Sequence, residues 1–218
     1  MRLVVIGANG RTGAAVVQQA RLRGEDVVAL ARRPEKLSCV AAGAGNRSTG
    51  ALVARRADLL TGEGVAESLA GVDAVVSAVG IGASRQPTRL YSNGTANLLE
   101  AMHAAGVPRL AVVSAAPVGS RGQHPPLQRA VVLPILERLF GATYEDMRRM
   151  EQILRESDLA WTALRPPRLL ERPGTGAYRI DDRPLPKGKS LTIPDLATAL
   201  LDCLPRPDTY RRALFVAN

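Results

Sequence analysis

Three glycines within thirteen residues constrain this chain more than anything that follows them. Gly7, Gly10 and Gly13 stand in Gly7-Ala8-Asn9-Gly10-Arg11-Thr12-Gly13, directly after the apolar run Leu3-Val4-Val5-Ile6. Ala14, Val16, Val17 and Ala20 follow at near-helical spacing. A strand, a glycine turn and a helix start in that order form the phosphate-binding corner of a dinucleotide fold. Each glycine has its own reason. The chain must reverse at Gly7, a pyrophosphate must approach the backbone at Gly10, and helix must pack on strand at Gly13. The amides near Arg11 and Thr12 then point at the phosphates, with the positive end of the helix dipole behind them. Asn9, inside the turn, belongs to the same set. A tight turn that binds nothing is the competing reading.

The N-terminal two thirds alternate strand and helix, which argues for a parallel sheet covered on both faces. The expected fold is α/β: one Rossmann-like, doubly wound domain over residues 1–218, whose small irregular C-terminal region, from about residue 115, contributes the substrate pocket. Asp26–Ala31, Leu52–Ala54, Asp73–Gly80, Leu110–Ser114 and Trp161–Leu164 read as further strands, and Ala213–Val216 as an edge strand. Helices are expected over Gly64–Leu69, Thr88–Ala105, Tyr144–Glu156 and Pro194–Cys203, with Gly106 and Pro108 closing the second. Cys39–Gly50 reads as a loop or a poorly formed helix, Val131–Phe140 as an apolar cover for a pocket, and Arg168–Lys189 as irregular.

Composition narrows the classes. No apolar stretch reaches the ~20 residues of a membrane span, and four apolar residues after Arg2 are too few for a signal-peptide core. A soluble, cytoplasmic protein is expected. Cys39 and Cys203 lie far apart without metal spacing, and two histidines, His103 and His124, make no zinc set. The net charge of +9 is almost all arginine, scattered in pairs, and aromatics are 3% of the chain. A nucleic-acid protein would concentrate its charge in a stripe with stacking aromatics. An anionic cofactor or substrate explains part of the excess, and a high-arginine proteome would explain the remainder.

The end of the second strand distinguishes the two nicotinamide cofactors. NAD sites place Asp or Glu there to hold the ribose 2′-hydroxyl. This chain has Arg32-Arg33, with Arg11 and Lys36 nearby. A guanidinium binds a 2′-phosphate through paired, charge-assisted hydrogen bonds, whereas a carboxylate repels it. NADP (NADPH) is therefore expected, a solvated arginine pair being the bland alternative. Ligands of such folds lie outside the carboxyl ends of the strands. That places Asp58-Leu59 at the adenine and Ala78-Val79-Gly80 at the pyrophosphate and nicotinamide ribose.

These motifs, with Gly94-Thr95-Ala96-Asn97-Leu98-Leu99-Glu100-Ala101 through Val112-Val113-Ser114, resemble the atypical short-chain dehydrogenase/reductase superfamily over essentially the whole chain. Arg149-Met150, Leu154-Arg155-Glu156-Ser157, Pro166-Pro167 and Thr175-Gly176-Ala177-Tyr178 are similar to the NAD(P)H-binding, NmrA-like group that includes biliverdin reductase B (flavin reductase). The resemblance implies an NADPH-dependent reductase. Ser114 matches that group's active-site serine and would hydrogen-bond the nicotinamide carboxamide or a substrate carbonyl; a serine that merely caps the strand competes. The group's histidine after Pro-Pro is replaced by Arg168, which cannot be a general acid near neutrality but can attract an anion. Ordinary short-chain dehydrogenases carry Tyr-x-x-x-Lys; here Tyr144-Glu145-Asp146-Met147-Arg148 offers Tyr144 with Arg148 in the lysine part, against a helix-face tyrosine. His124 reads as an exposed loop histidine. The expected substrate is a small molecule that is conjugated or anionic, such as a flavin or quinone, handled by a monomer or homodimer. A non-catalytic NADP-binding regulator of the NmrA-like kind and, more weakly, a sugar-type epimerase or isomerase are the alternatives.

Overall fold

The computed structural model describes residues 1–37, 49–82, 84, 86–123 and 126–218. Strands β1 (Arg2–Ile6), β2 (Asp26–Ala31), β3 (Leu52–Arg56), β4 (Ala74–Ser77), β5 (Arg109–Val113), β6 (Ala160–Arg165), β8 (Arg179–Asp181) and β10 (Arg212–Ala217) form one sheet in the order β3-β2-β1-β4-β5-β6-β10-β8. All pairings are parallel except the outermost, β10 with β8. Two short strands, β7 (Arg168–Leu170) and β9 (Ser190–Thr192), pair separately.

Alternating side chains of each strand feed opposite cores, as the pleat requires. Leu3, Val5, Val27, Ala29 and Val76 pack under helices α1 (Arg11–Leu22) and α4 (Ile193–Cys203). Val4, Ile6, Val28, Leu30, Val75 and Val112 pack under α2 (Ser92–Ala105) and α3 (Leu133–Glu156). A sheet buried on both faces needs near-continuous apolar strands, which is why β1, β2 and β4 read so clearly. The chain runs outward from β1 to β3, then returns past β1 to β4 on its other side. That reversal opens a crevice at the carboxyl ends of β1 and β4.

Several expected elements shift, each for a reason outside its own segment. Helix α2 starts at Ser92 rather than Thr88, because Asp146 of α3 accepts the Tyr91 amide at 2.9 Å and the Ser92 hydroxyl, capping the helix from a distance. It ends as expected at Gly106, whose φ of +67° suits glycine. Gly64–Leu69 yields only a 3₁₀ turn at Ala66–Ser68. Most of Val131–Phe140 merges with Tyr144–Glu156 into one helix, α3, with Pro134 tolerated in its first turn and Val131 and Val132 in a π-helical turn before it. In the apolar part Val131, Val132, Ile135 and Leu139 stand exposed, as does Leu127 just before it at 74%, and none of them lines the crevice described below. The supposedly irregular Arg168–Lys189 holds β7 and β8. Because β8 lies outside it, β10 is an inner strand rather than the edge. Cys39 and most of the Cys39–Gly50 loop, like His124, lie outside the described residues.

Candidate functional site

At the glycine turn the three glycines are required by different neighbours. Gly7 has φ +78°, and a Cβ there would lie 2.8 Å from the Ala78 carbonyl oxygen. A Cβ on Gly13 would sit 2.2 Å from the Gly7 carbonyl oxygen, an impossible contact with backbone. Gly10 is different. Its Cβ would meet the Gly7 oxygen at 3.1 Å and otherwise face the open crevice. A side chain at Gly10 needs the Gly7 carbonyl to give by only a few tenths of an ångström, and beyond that it would occupy space in the crevice. Gly10 also caps α1 without a side-chain hydrogen bond, and no acid stands in the first turn, so the helix start offers free amides to an anion.

The crevice has a volume of about 840 Å³. It is lined by Gly7, Asn9, Gly10, Arg11 and Thr12 from the turn, by Arg32, Arg33 and Lys36 after β2, and by Asp58 and Leu59 after β3. Ala78, Val79 and Gly80 after β4 and Ser114 after β5 complete the row. Gly13 alone of the expected cofactor residues is off the lining, since its work is packing. The Asn9 side chain donates to the Arg33 carbonyl at 2.6 Å, tying the turn to the loop that carries both arginines. The Asn97 amide donates to the Leu59 and Leu60 carbonyls at 3.1 and 3.0 Å, fixing the next loop. Asp58 accepts the Leu60 amide at 2.9 Å, so it shapes its own turn as well as lining the crevice. Arg11 ion-pairs with Glu171 beyond β7, bridging two walls. Both side chains are well exposed, and such a pair is worth ~0–1 kcal/mol. An anion competing for Arg11 would therefore have little to displace.

The far end of the crevice is built by side chains that meet only in three dimensions. Tyr91, Met147, Pro166, Pro167 and Leu169 line it beside Ser114. Ser114 is buried, and its hydroxyl donates to Glu151 Oε1 at 2.8 Å. Arg165 holds the same carboxylate with Nε at 2.9 Å from Oε1 and a second nitrogen on Oε2, and Arg155 adds a contact at 2.9 Å. Arg165 is itself buried and lies over the Phe215 ring, 5.3 Å from its centroid.

Two expected catalytic residues lie off the crevice. Tyr144 packs beside Phe140, ring centroids 6.2 Å apart, and burial pushes its hydroxyl above the usual phenol value. Its expected partner Arg148 is occupied elsewhere, donating to the Pro117 carbonyl at 3.1 Å and to Glu137 at 3.3 Å. One helical turn on, Met147 takes the place facing the crevice, with Glu151 four residues behind it against Ser114. Arg168 is exposed, while its neighbours Pro167 and Leu169 line the wall. Strand alternation turns the arginine away.

Sequence reading missed Tyr91, Met147, Glu151 and Arg165. Burial pushes the Tyr91 hydroxyl up, a hydrogen bond with the Ile81 backbone opposing. A signal for the ion pair did exist. Arg165 ends a buried apolar strand, and a buried guanidinium demands a carboxylate.

The glycine cradle, the uncapped helix start and the basic end of the crevice fit a dinucleotide. Comparison with known proteins agrees. The family model for NAD(P)H-binding proteins matches residues 7–207. A 3-diazoavenalumate denitrifying reductase of a Streptomyces species is 33% identical over 188 residues, 82% of this chain and 59% of its own length. The chain spans about three fifths of the length of the curated relatives it matches. Among solved structures, a short-chain dehydrogenase/reductase of Veillonella parvula in complex with NADP superposes with TM-score 0.78 at 15% identity, covering 100% of this chain and 94% of that one. ChuY, an anaerobillin reductase of Escherichia coli O157:H7, gives TM-score 0.76 at 17% identity, covering 100% and 97%. The fold, the crevice and the match over nearly the full chain converge: it belongs to the NAD(P)H-binding family.

Proposed function

We propose that this protein is an NADPH-dependent reductase that passes hydride to a conjugated, electron-poor small molecule. When bound, the dinucleotide supplies the hydride; the chain's own residues hold it and shape the acceptor's site. Arg32, Arg33 and Lys36 gather at one end of the crevice, after β2, where a 2′-phosphate would lie. At the other end the lining beside Ser114 is Met147, Tyr91, Pro166, Pro167 and Leu169. That end carries the reading: a largely apolar wall in which none of the described residues beside Ser114 is a carboxylic acid or an imidazole. Burial makes the Tyr91 hydroxyl a poorer acid than a free phenol. Hydride arriving on a flavin, quinone or enone leaves a delocalised anion that needs no strong acid. A simple ketone would build a localised alkoxide, and the acid catalysis it lacks is worth roughly 10²–10⁴-fold. The relative named as a reductase of a diazo compound is in keeping with an electron-poor acceptor.

The exposed stripe of Leu127, Val131, Ile135 and Leu139 favours a second reading, an NADPH-sensing protein that acts through a partner. NADPH oxidation against a panel of flavins, quinones and enones separates the two. Turnover of any of them supports the reductase. Firm NADPH binding without turnover of any moves the reading to the sensor.

A further inference from the structure

A serine hydroxyl owns one hydrogen and two acceptor lone pairs. At Ser114 the hydrogen is spent. Oγ lies 2.8 Å from Glu151 Oε1, and a carboxylate can only accept, so the proton in that contact is the serine's. Glu151 cannot swing away, since it is fully buried and gripped through both oxygens by Arg165, with Arg155 on Oε2. Any other rotamer would leave a buried guanidinium without its partner, a costly state. What Ser114 has left for the crevice it lines is its lone pairs.

Resting on the dinucleotide reading of this crevice, we propose that Ser114 is a fixed hydrogen-bond acceptor and that the group it recognises is an N–H donor. A carbonyl oxygen, which brings lone pairs of its own, is disfavoured there. Two sources of N–H reach this place. Phosphates at the β1–β4 switch point and adenine over β2 and β3 put the nicotinamide over β4 and β5, where its carboxamide carries an NH₂. A ring N–H of the acceptor molecule is the other. Ser114 touches the ligand; Glu151 and Arg165 are positioning residues that act through it.

Binding titrations distinguish the sources. NADPH is compared with its acetylpyridine analogue, in which a methyl replaces the amide nitrogen. Wild type should favour the carboxamide by about threefold to tenfold, the worth of one neutral hydrogen bond. Ser114→Ala should erase that preference. In the second arm, protein loaded with NADP⁺ is titrated with lumiflavin and with lumiflavin methylated at its ring N–H, in the same two proteins. A preference lost on Ser114→Ala in either arm supports the inference and identifies the donor. Wild type without a preference in both arms, or Ser114→Ala that keeps every preference, overturns it. Glu151→Gln checks the positioning role, because the two guanidinium groups at Oε2 draw the amide oxygen there and leave the amide NH₂ facing Ser114, where it donates and releases the serine hydrogen. In folded Glu151→Gln the preference should shrink; an unchanged one contradicts the role of Glu151. Ser114→Ala removes only a hydroxyl and carries the test if Glu151→Gln does not fold. All readouts are binding, so absence of turnover counts against the reductase reading alone.

Discussion

The glycine corner and the Ser114 end of one crevice are built in opposite ways. At the corner the backbone does the work: three glycines, a free helix start and a loop pinned by Asn9. At Ser114 the work falls to side chains from β5, β6 and α3, brought together by a buried ion pair. The corner can be read along the chain because its parts are neighbours in sequence. The other end cannot, because Ser114, Glu151 and Arg165 become neighbours only when the sheet and α3 close on each other. Mutations should therefore fail differently at the two places.

The largest effect is expected at Gly13. A side chain there collides with the Gly7 carbonyl oxygen, so Gly13→Val should fail to fold, seen as loss of a cooperative melt. Gly10→Val should instead keep the fold by circular dichroism and lose NADPH binding. A folded Gly10→Val that binds as wild type does would break the claim that the corner is shaped for a ligand. Next in size is Glu151→Ala. It strands the buried Arg165 and should cost about 3–5 kcal/mol in denaturant melts, as removing one partner of a buried pair does. A loss under about 1 kcal/mol would mean that solvent reaches the pair.

The arginine pair comes third. The Arg32→Ala, Arg33→Ala double variant should weaken NADPH binding at least tenfold and leave NADH nearly unchanged, since each charge-assisted hydrogen bond is worth about 1.5–3 kcal/mol. Equal losses for both cofactors would show that the arginines do not read the 2′-phosphate. The smallest effect lies away from the crevice, in the C-terminal clasp. Burial alone would raise the Asp195 carboxyl, but hydrogen bonds from Thr175, Thr192 and Asn218 outweigh it and hold the group at about 2. A carboxylate held below its unfolded value stabilises the fold fully above about pH 4 and loses that contribution as pH falls toward 2. Asp195→Asn should be less stable than wild type at neutral pH, and the gap should close in acid melts. A gap that widens in acid would reverse the sign of the account.

The order of β1, α1, β2, β4, α2 and β5 was legible from buried apolar runs and glycine punctuation. So was almost the whole lining of the crevice's glycine end, since loops at strand ends inherit their places from the strand order. What escaped depended on distant partners. The start of α2 is set by Asp146, fifty-odd positions away, which no local pattern announces. The spacing of Tyr144 to Arg148 suggests a catalytic pair, yet α3 turns Met147 toward the crevice and Glu151 toward Ser114 instead. The place of Arg168 after Pro166-Pro167 suggests a site residue, and strand alternation points it outward.

The central claim is that the reacting end, where burial makes the Tyr91 hydroxyl a poor acid, works without acid catalysis. It is tested most directly by initial rates of NADPH oxidation with a quinone and with an unconjugated ketone, in wild type and Tyr144→Phe. The account predicts turnover of the quinone, a rate on the ketone at least a hundredfold lower, in keeping with the roughly 10²–10⁴-fold worth of acid catalysis, and no change in either on Tyr144→Phe. Comparable rates on the two acceptors, with the ketone activity abolished by Tyr144→Phe, would contradict it.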